Sequence, residues 1–271
     1  MKRKLLLEFD LSQAEAVAVA AYCGDPDMKR LFGPCFASNF KDGKEPENID
    51  CHLDRALMIL DVLDEYYSYL DFKAMYVDSH PRAKQMRQAA KAVGVHATNY
   101  DVGSRTVITS LRHHDVFLNT KQEALLRFNT HRRFPGIKMY QTGVQRELNK
   151  TRILKTAKGM KRYFFSKLDS NTYRRAYAFL PQCTVAEITN EAIIKVDEPI
   201  RELDGFVLLQ VHDSILVEIP ERNAQVAHDI TMTAMTQPTE VFPFFGESDI
   251  MTIQVECKYG THWGELQPWS G

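Results

Sequence analysis

The chain has 271 residues, 44% of them hydrophobic, and a formal net charge of −1. It is long enough to bury a sizeable core, read here as two subdomains, and its near-neutral balance excludes a basic footprint spread over the whole surface. No apolar run approaches the ~18 residues of a membrane span and no signal-peptide pattern stands at the start, while 5 cysteines without Cys-x-x-Cys spacing fit reduced thiols in a cytoplasm better than disulfides or zinc.

Leu5 to Phe9 is a short apolar run ending at Asp10, and Ser12 to Tyr22 reads as an alanine-rich helix, so Asp10 sits where a strand hands over to a helix. Phe32 to Asn48, with its Gly, Pro and Lys, reads as a loop, and Cys51 to Tyr69 as one packed helix with apolar residues at helical spacing. Helices are expected at Ala83 to Asn99, behind Pro81, and at Lys121 to Leu148, interrupted at Pro135. Thr151 to Phe165, with Lys158-Gly159 at its centre, has a hairpin pattern. Tyr173 to Val196 reads as a helix broken at Pro181, Glu221 to Met235 as another helix, and Met251 to Glu256 as a late strand. Between them, Phe206 to Ile219 is apolar and β-branched at both ends and polar at Gln210, His212, Asp213 and Ser214, the pattern of a hairpin with a polar tip. Sheet and helices in separate runs indicate an α+β fold with an antiparallel sheet.

Asp10 and Asp213 each stand at a strand end. A lone buried carboxylate is expensive, a bound cation offsets the cost, and Mg²⁺ is commonly held by one or two carboxylates plus substrate phosphates. Taken singly, each acid reads more readily as a helix cap or a turn residue than as a metal ligand. Basic residues cluster at Lys2 to Lys4, Arg82 to Lys91, Arg132 and Arg133, Lys150 to Arg162, and Arg174 with Arg175, either as solvated faces or as contacts to a nucleic-acid backbone, which would weaken with salt. Cys51-His52 and His113-His114 lack a second ligand pair at finger spacing, which favours surface or capping roles over zinc.

Several blocks together resemble the family A DNA polymerases, the DNA polymerase I type. FDLSQAEAVAVAAYCGDPDMKRLF, Phe9 to Phe32, is similar to the first palm motif, and LLQVHDSILVEIP, Leu208 to Pro220, to the third. Met86 to Val107 resembles the fingers helix that meets the incoming nucleotide, RRAYAFLPQCTVAE at Arg174 to Glu187 the palm helix, and KYGTHWGEL at Lys258 to Leu266 the C-terminal tail. The resemblance implies a right-hand palm with helical fingers: palm over 1–30, fingers over 31–150 and palm again over 151–271. It implies template-directed addition of deoxynucleotides to a primer 3′ end.

Carried over residue by residue, Asp10 and Asp213 match the aspartates that hold two Mg²⁺ ions, with Mn²⁺ as an alternative, and the carbonyl of Leu11 matches a further ligand. Glu15 matches the steric gate against a ribose 2′-hydroxyl, with Gln13 beside it in the nucleotide site. Arg87 and Lys91, four apart on one helix face, present cations to the triphosphate, and Lys91 is the expected acid for departing pyrophosphate. Tyr100 resembles the tyrosine stacked near the templating pair, Arg174 and Gln182 match minor-groove contacts to primer-template, and His212 lies beside the primer terminus.

The departures are specific. The family's fingers lysine and tyrosine are eight apart, whereas Lys91 and Tyr100 are nine apart, and Val95 stands where an aromatic is usual. Either Asn99 takes the tyrosine's place or the helix carries an extra residue. The HATNY run, with His96, resembles a phage-type variant. Ser214 follows Asp213 where a glutamate is frequent, which leaves the charge that would touch the metal to Asp10 and Asp213, and Ala178 stands where an asparagine is usual. Phe32 to His80 reads as a fingers insertion. With so little sequence before Asp10, the expectation is a C-terminal half without thumb or exonuclease domain, whose other half is a separate chain covering an exposed sheet edge beside the Asp10 strand. Two other classes stay open: a non-catalytic DNA-binding subunit with the polymerase fold, and a nuclease using the same carboxylates.

Overall fold

The computed structural model describes residues 3–40 and 49–270, the side chains of 94–98 apart. Lys2, the latter part of the Phe32 to Asn48 stretch and the side chains of Val95 and His96 lie outside the described residues.

Strand β1 (Lys4–Leu11) alternates as a half-buried strand must: Leu5, Leu7, Phe9 and Leu11 are buried, while Asp10 on the opposite face is open. Gln13, at φ 54°, turns the strand into α1 (Ala14–Cys23), an Ala/Val helix buried on nearly every side. Gly24 at φ 62° ends it. Asp25 then caps α2 (Pro26–Arg30), accepting from the backbone N–H of Asp27 (3.0 Å) and Met28 (3.1 Å), and its other oxygen accepts from the N–H of Gly136 (2.8 Å). Asp25→Ala therefore loses a cap and strands a buried donor. We expect it to lose about 2–4 kcal/mol in urea unfolding, with Asp25→Asn in between because its one acceptor serves only one of the two partners.

A second core lies in a helical body. Helices α3 (Cys51–Asp61), α4 (Tyr69–Val77), α5 (Pro81–Asn99), α6 (Ser104–Arg112) and α7 (Thr120–Arg133) enclose Ile59, Leu60, Phe72, Met86, Leu111 and Leu126. The single helix expected over Cys51 to Tyr69 is not formed. Asp64 takes φ 62°, Glu65 N–H returns to the carbonyl of Leu60 (3.0 Å), and Ser68 opens α4 by accepting from the Asp71 N–H (3.1 Å). The break at Pro135 is present, with α8 (Gly136–Thr151) beginning one residue later.

The expected hairpin follows as β2 (Ile153–Lys155) and β3 (Lys161–Tyr163), with Gly159 at φ 110° in its turn. Next comes α9 (Ser170–Glu202), and here the expected break at Pro181 is absent: 33 residues run through it as one helix. Proline cannot donate to the carbonyl four residues back, which is Tyr177, but the Tyr140 hydroxyl of α8 donates to that oxygen at 2.6 Å. The orphaned acceptor is paired and the helix continues.

Strands β4 (Phe206–Val211) and β5 (Ser214–Pro220) form the polar-tipped hairpin, and α10 (Ala224–Met235) packs back on the sheet. A small ladder, β6 (Thr239–Val241) with β7 (Asp249–Met251), precedes β8 (Val255–Gly260) and β9 (Gln267–Pro268). The late strand expected over Met251 to Glu256 is thus two strands, interrupted where the Thr252 N–H donates to the Cys35 carbonyl (2.8 Å). The main sheet is antiparallel in the order β4-β5-β1-β8-β9. The strand carrying Asp10 is therefore central and paired on both sides, not next to an exposed edge. Of the two edge strands β9 has 2 residues and β4 has 6, and on β4 Phe206, Leu208, Leu209 and Val211 remain exposed.

Candidate active site

Three carboxylates converge where β1 ends. Asp10 is in register with Ser214 of β5 and with Glu256 of β8. Asp213 sits at the tip of the β4-β5 turn, where its carbonyl accepts from the Leu11 N–H at 3.3 Å. That turn is made tight by His212 at φ 55°. Glu256 is held by the Ser12 hydroxyl, which donates to its Oε1 at 2.8 Å. Sequence reasoning missed Glu256: it left the acid charge here to Asp10 and Asp213, and only the β1-β8 register brings the third carboxylate in.

These acids form one wall of a cavity of about 550 Å³, lined also by Leu11, Gln13, Glu15, Asp50, His52, Arg87 and Lys91. Arg87 and Lys91 reach it from α5, so acidic and basic groups from separate bodies share one space. Glu15, in the first turn of α1, accepts at Oε1 from the Tyr100 hydroxyl (2.5 Å) and from Gln182 Nε2 of α9 (2.8 Å). At the end of α5, Tyr100 reaches Glu15, while Asn99 is buried and its carbonyl accepts from Gln141 (3.1 Å). Gln13, partly buried on the cavity wall, accepts at Oε1 from the N–H of Cys51 (3.3 Å).

Arg174 and His212 are not among the residues that line this cavity. Arg174 donates through Nε to the Asp101 carbonyl (2.8 Å), and His212 is exposed at the hairpin tip. Within the basic clusters, Arg82 pairs with Glu65, Arg133 with Asp54 (2.8 Å) and Lys158 with Glu191 (2.7 Å), so part of that charge is spent inside the molecule.

Burial and then the charge of Asp213 raise the Asp10 carboxyl above its ordinary 3.8, with Lys258 opposing and Glu256 and Glu8 adding. Burial likewise raises Asp213, against its own backbone N–H and His212, and Glu15 adds to the rise. The pattern is one of negative charge in want of a cation. The donors, carboxylates and a backbone carbonyl, are hard oxygens that fit Mg²⁺. Among the described residues no three His, Cys, Asp or Glu side chains are grouped to enclose a metal, so an ion at Asp10 and Asp213 would be completed by substrate and water oxygens.

A stability test follows from the sign of the Asp10 shift. The folded chain binds this proton more tightly than the unfolded chain, so stability falls as pH rises through the unfolded and then the raised folded value, and stays lower above both. Asp10→Asn removes the loss. Without divalent ions its melting temperature should exceed that of the unaltered chain at pH 7, and the two should converge below about pH 4.

No helix among the described residues is long and apolar enough to cross a membrane. The sequence matches the family model described as DNA polymerase family A over residues 1–265. It is similar to the thermostable DNA polymerase I of Thermus filiformis, 25% identical over 97% of this chain and 27% of that protein, and to DNA polymerase I of Helicobacter pylori (strain J99), 25% identical over 98% of this chain and 25% of that one. The chain thus spans about a quarter of the length of these curated relatives. In fold it is similar to the POL domain of Pol1 from M. smegmatis, solved in complex with DNA primer-template and dNTP, with a TM-score of 0.71 at 20% identity, covering 96% of this chain and 40% of that one. With the family model matching nearly from end to end, the chain belongs to DNA polymerase family A.

Proposed function

We propose that this cavity is the nucleotidyl-transfer site of a template-directed DNA polymerase, with the sheet body as palm and the helical body as fingers. The observation that carries the reading is the opposition of Asp10, Asp213 and Glu256 to Arg87 and Lys91 across one cavity. Such a site can bind a triphosphate by its cations and hold divalent ions by its acids. In the reaction, the primer 3′-oxygen bonds to the α-phosphorus of a dNTP as the bond to the β-phosphate oxygen breaks and pyrophosphate leaves. Asp10, Asp213 and the Leu11 carbonyl would hold two Mg²⁺ or Mn²⁺ ions, whose chemistry is to make the 3′-hydroxyl more acidic and stabilise charge on the phosphorus. Arg87 orients the triphosphate, and Lys91, exposed on the cavity wall, gives a proton to the departing pyrophosphate. Glu15, pinned by Tyr100 and Gln182, faces the sugar. Gln13 shapes the entry of α1, and Arg174, Gln182 and His212 lie along the path of primer-template. The setting would be a cytoplasm, including a host's in the case of a phage, and a separate chain bearing a thumb would supply further grip on the duplex.

The test is primer extension with Mg²⁺ and all four dNTPs, by the purified chain alone and with a co-expressed thumb-bearing segment of a DNA polymerase I. A primer lengthened according to template in either arm supports the proposal. A shortened primer would identify a nuclease, and no extension with no Mg²⁺-dependent dNTP binding would identify a non-catalytic subunit.

A further inference from the structure

The residues before α5, which read only as an insertion, build a brace around Arg87. Asp50 uses one carboxylate oxygen to cap α3, accepting from the N–H of His52 (2.9 Å) and Leu53 (3.1 Å), and the other to accept from Arg87 Nε (2.8 Å). Helix α4 closes the other sides. Its Tyr69 hydroxyl accepts from the Asp50 N–H (2.9 Å), and the Arg87 guanidinium lies over the Tyr76 ring at 5.1 Å. The arginine is thus gripped by its Nε and by one face, and among the described residues neither Nη has a hydrogen-bond partner. Arg87 and Asp50 both line the cavity that holds Asp10 and Asp213.

We infer that Asp50, Tyr69 and Tyr76 are positioning residues that hold Arg87 ready for the β- and γ-phosphates of the incoming nucleotide. The inference rests on the polymerase reading of the cavity and extends it to a segment that reading leaves unused. An unbraced arginine loses rotamer freedom when a phosphate binds, whereas one already fixed by Nε and a ring loses little. The negative charge of Asp50 does not cancel the benefit, because its carboxylate also sits on the N-terminus of α3, where the helix dipole absorbs part of it.

The test is binding of a fluorescent dATP and the matching dAMP, with Mg²⁺, to the purified chain. Asp50→Ser keeps an N-cap for α3 but has no oxygen left for Arg87. Tyr76→Leu removes the ring, and Tyr76→Phe keeps it. Asp50→Ser and Tyr76→Leu should each weaken dATP binding about tenfold and leave dAMP unchanged, with Tyr76→Phe close to the unaltered chain. Equal weakening of dATP and dAMP would mean a loosened fold, and unchanged or tighter dATP binding in Asp50→Ser would mean that no brace operates; either overturns the inference. If Arg87→Ala weakens dATP binding while both brace variants do not, the brace fails and the cavity reading stands. If the unaltered chain binds no dATP, or Arg87→Ala has no effect, the nucleotide assignment of Arg87 falls and the brace with it.

Discussion

Replacing Asp213 by alanine is expected to cut primer extension by about a thousandfold or more while leaving the chain folded. The side chain stands at a turn whose geometry is set by the backbone, through the Leu11 N–H to Asp213 carbonyl contact and the left-handed His212, so alanine removes charge and not the turn. On the proposed reading the variant loses an anchor for cations that would stabilise several kcal/mol of transition-state charge, and about 4 kcal/mol corresponds to a thousandfold in rate. Because burial already holds this carboxyl above its ordinary range, the variant should melt at the same or a higher temperature in metal-free buffer at neutral pH. Single-turnover extension and a thermal melt, run side by side, check both halves. Normal extension by Asp213→Ala would show that the chemistry happens elsewhere.

Glu15→Ala is expected to relax sugar selection, with ribonucleotide incorporation rising relative to deoxynucleotide by roughly 10–100-fold. The carboxylate does not swing freely: Tyr100 and Gln182 both donate to its Oε1, so an added 2′-hydroxyl meets a fixed group. Overpacking of that kind is worth about 1–3 kcal/mol, which sets the range through the tenfold per ~1.4 kcal/mol relation. Competition between dATP and ATP on one template reads it directly. Because Glu15 also ties α1 to α9, Glu15→Gln serves as the control; it keeps an acceptor for Tyr100 and should select sugars nearly as well as the unaltered chain. If Glu15→Ala discriminates as before, the 2′ position is guarded by another residue.

Local pattern revealed much of the fold, because a strand handing over to a helix at Asp10, a polar-tipped hairpin at Asp213 and a proline at 135 are written in neighbouring residues. Boundaries set by long-range partners were not legible. Pro181 signals a break, and only the Tyr140 hydroxyl, from another helix, cancels it. The Cys51 to Tyr69 run keeps a helical apolar pattern across Asp64, yet the chain turns there because a left-handed residue closes α3. In the site, Asp10, Asp213, Glu15, Arg87 and Lys91 are each identifiable by resemblance, whereas Glu256 is one acid on a late strand until β8 is laid against β1. Asp50 was invisible for a similar reason, since its partner Arg87 is on another helix.

The unbroken run of α9 has a mechanical meaning. At 33 residues it is a rod about 50 Å long, and it is clamped along its length: Arg174 to the Asp101 carbonyl, Tyr177 to Tyr140, Gln182 to Glu15, and Glu191 to the hairpin lysine 158. A rod fixed at several stations cannot flex at one without loading the others, so strain at Glu15 is shared with the β2-β3 hairpin. The rod is also intolerant of slippage. One residue inserted between Gln182 and Glu191 would turn the far half by about 100°, aiming its apolar face at water and tearing the hairpin from its mooring.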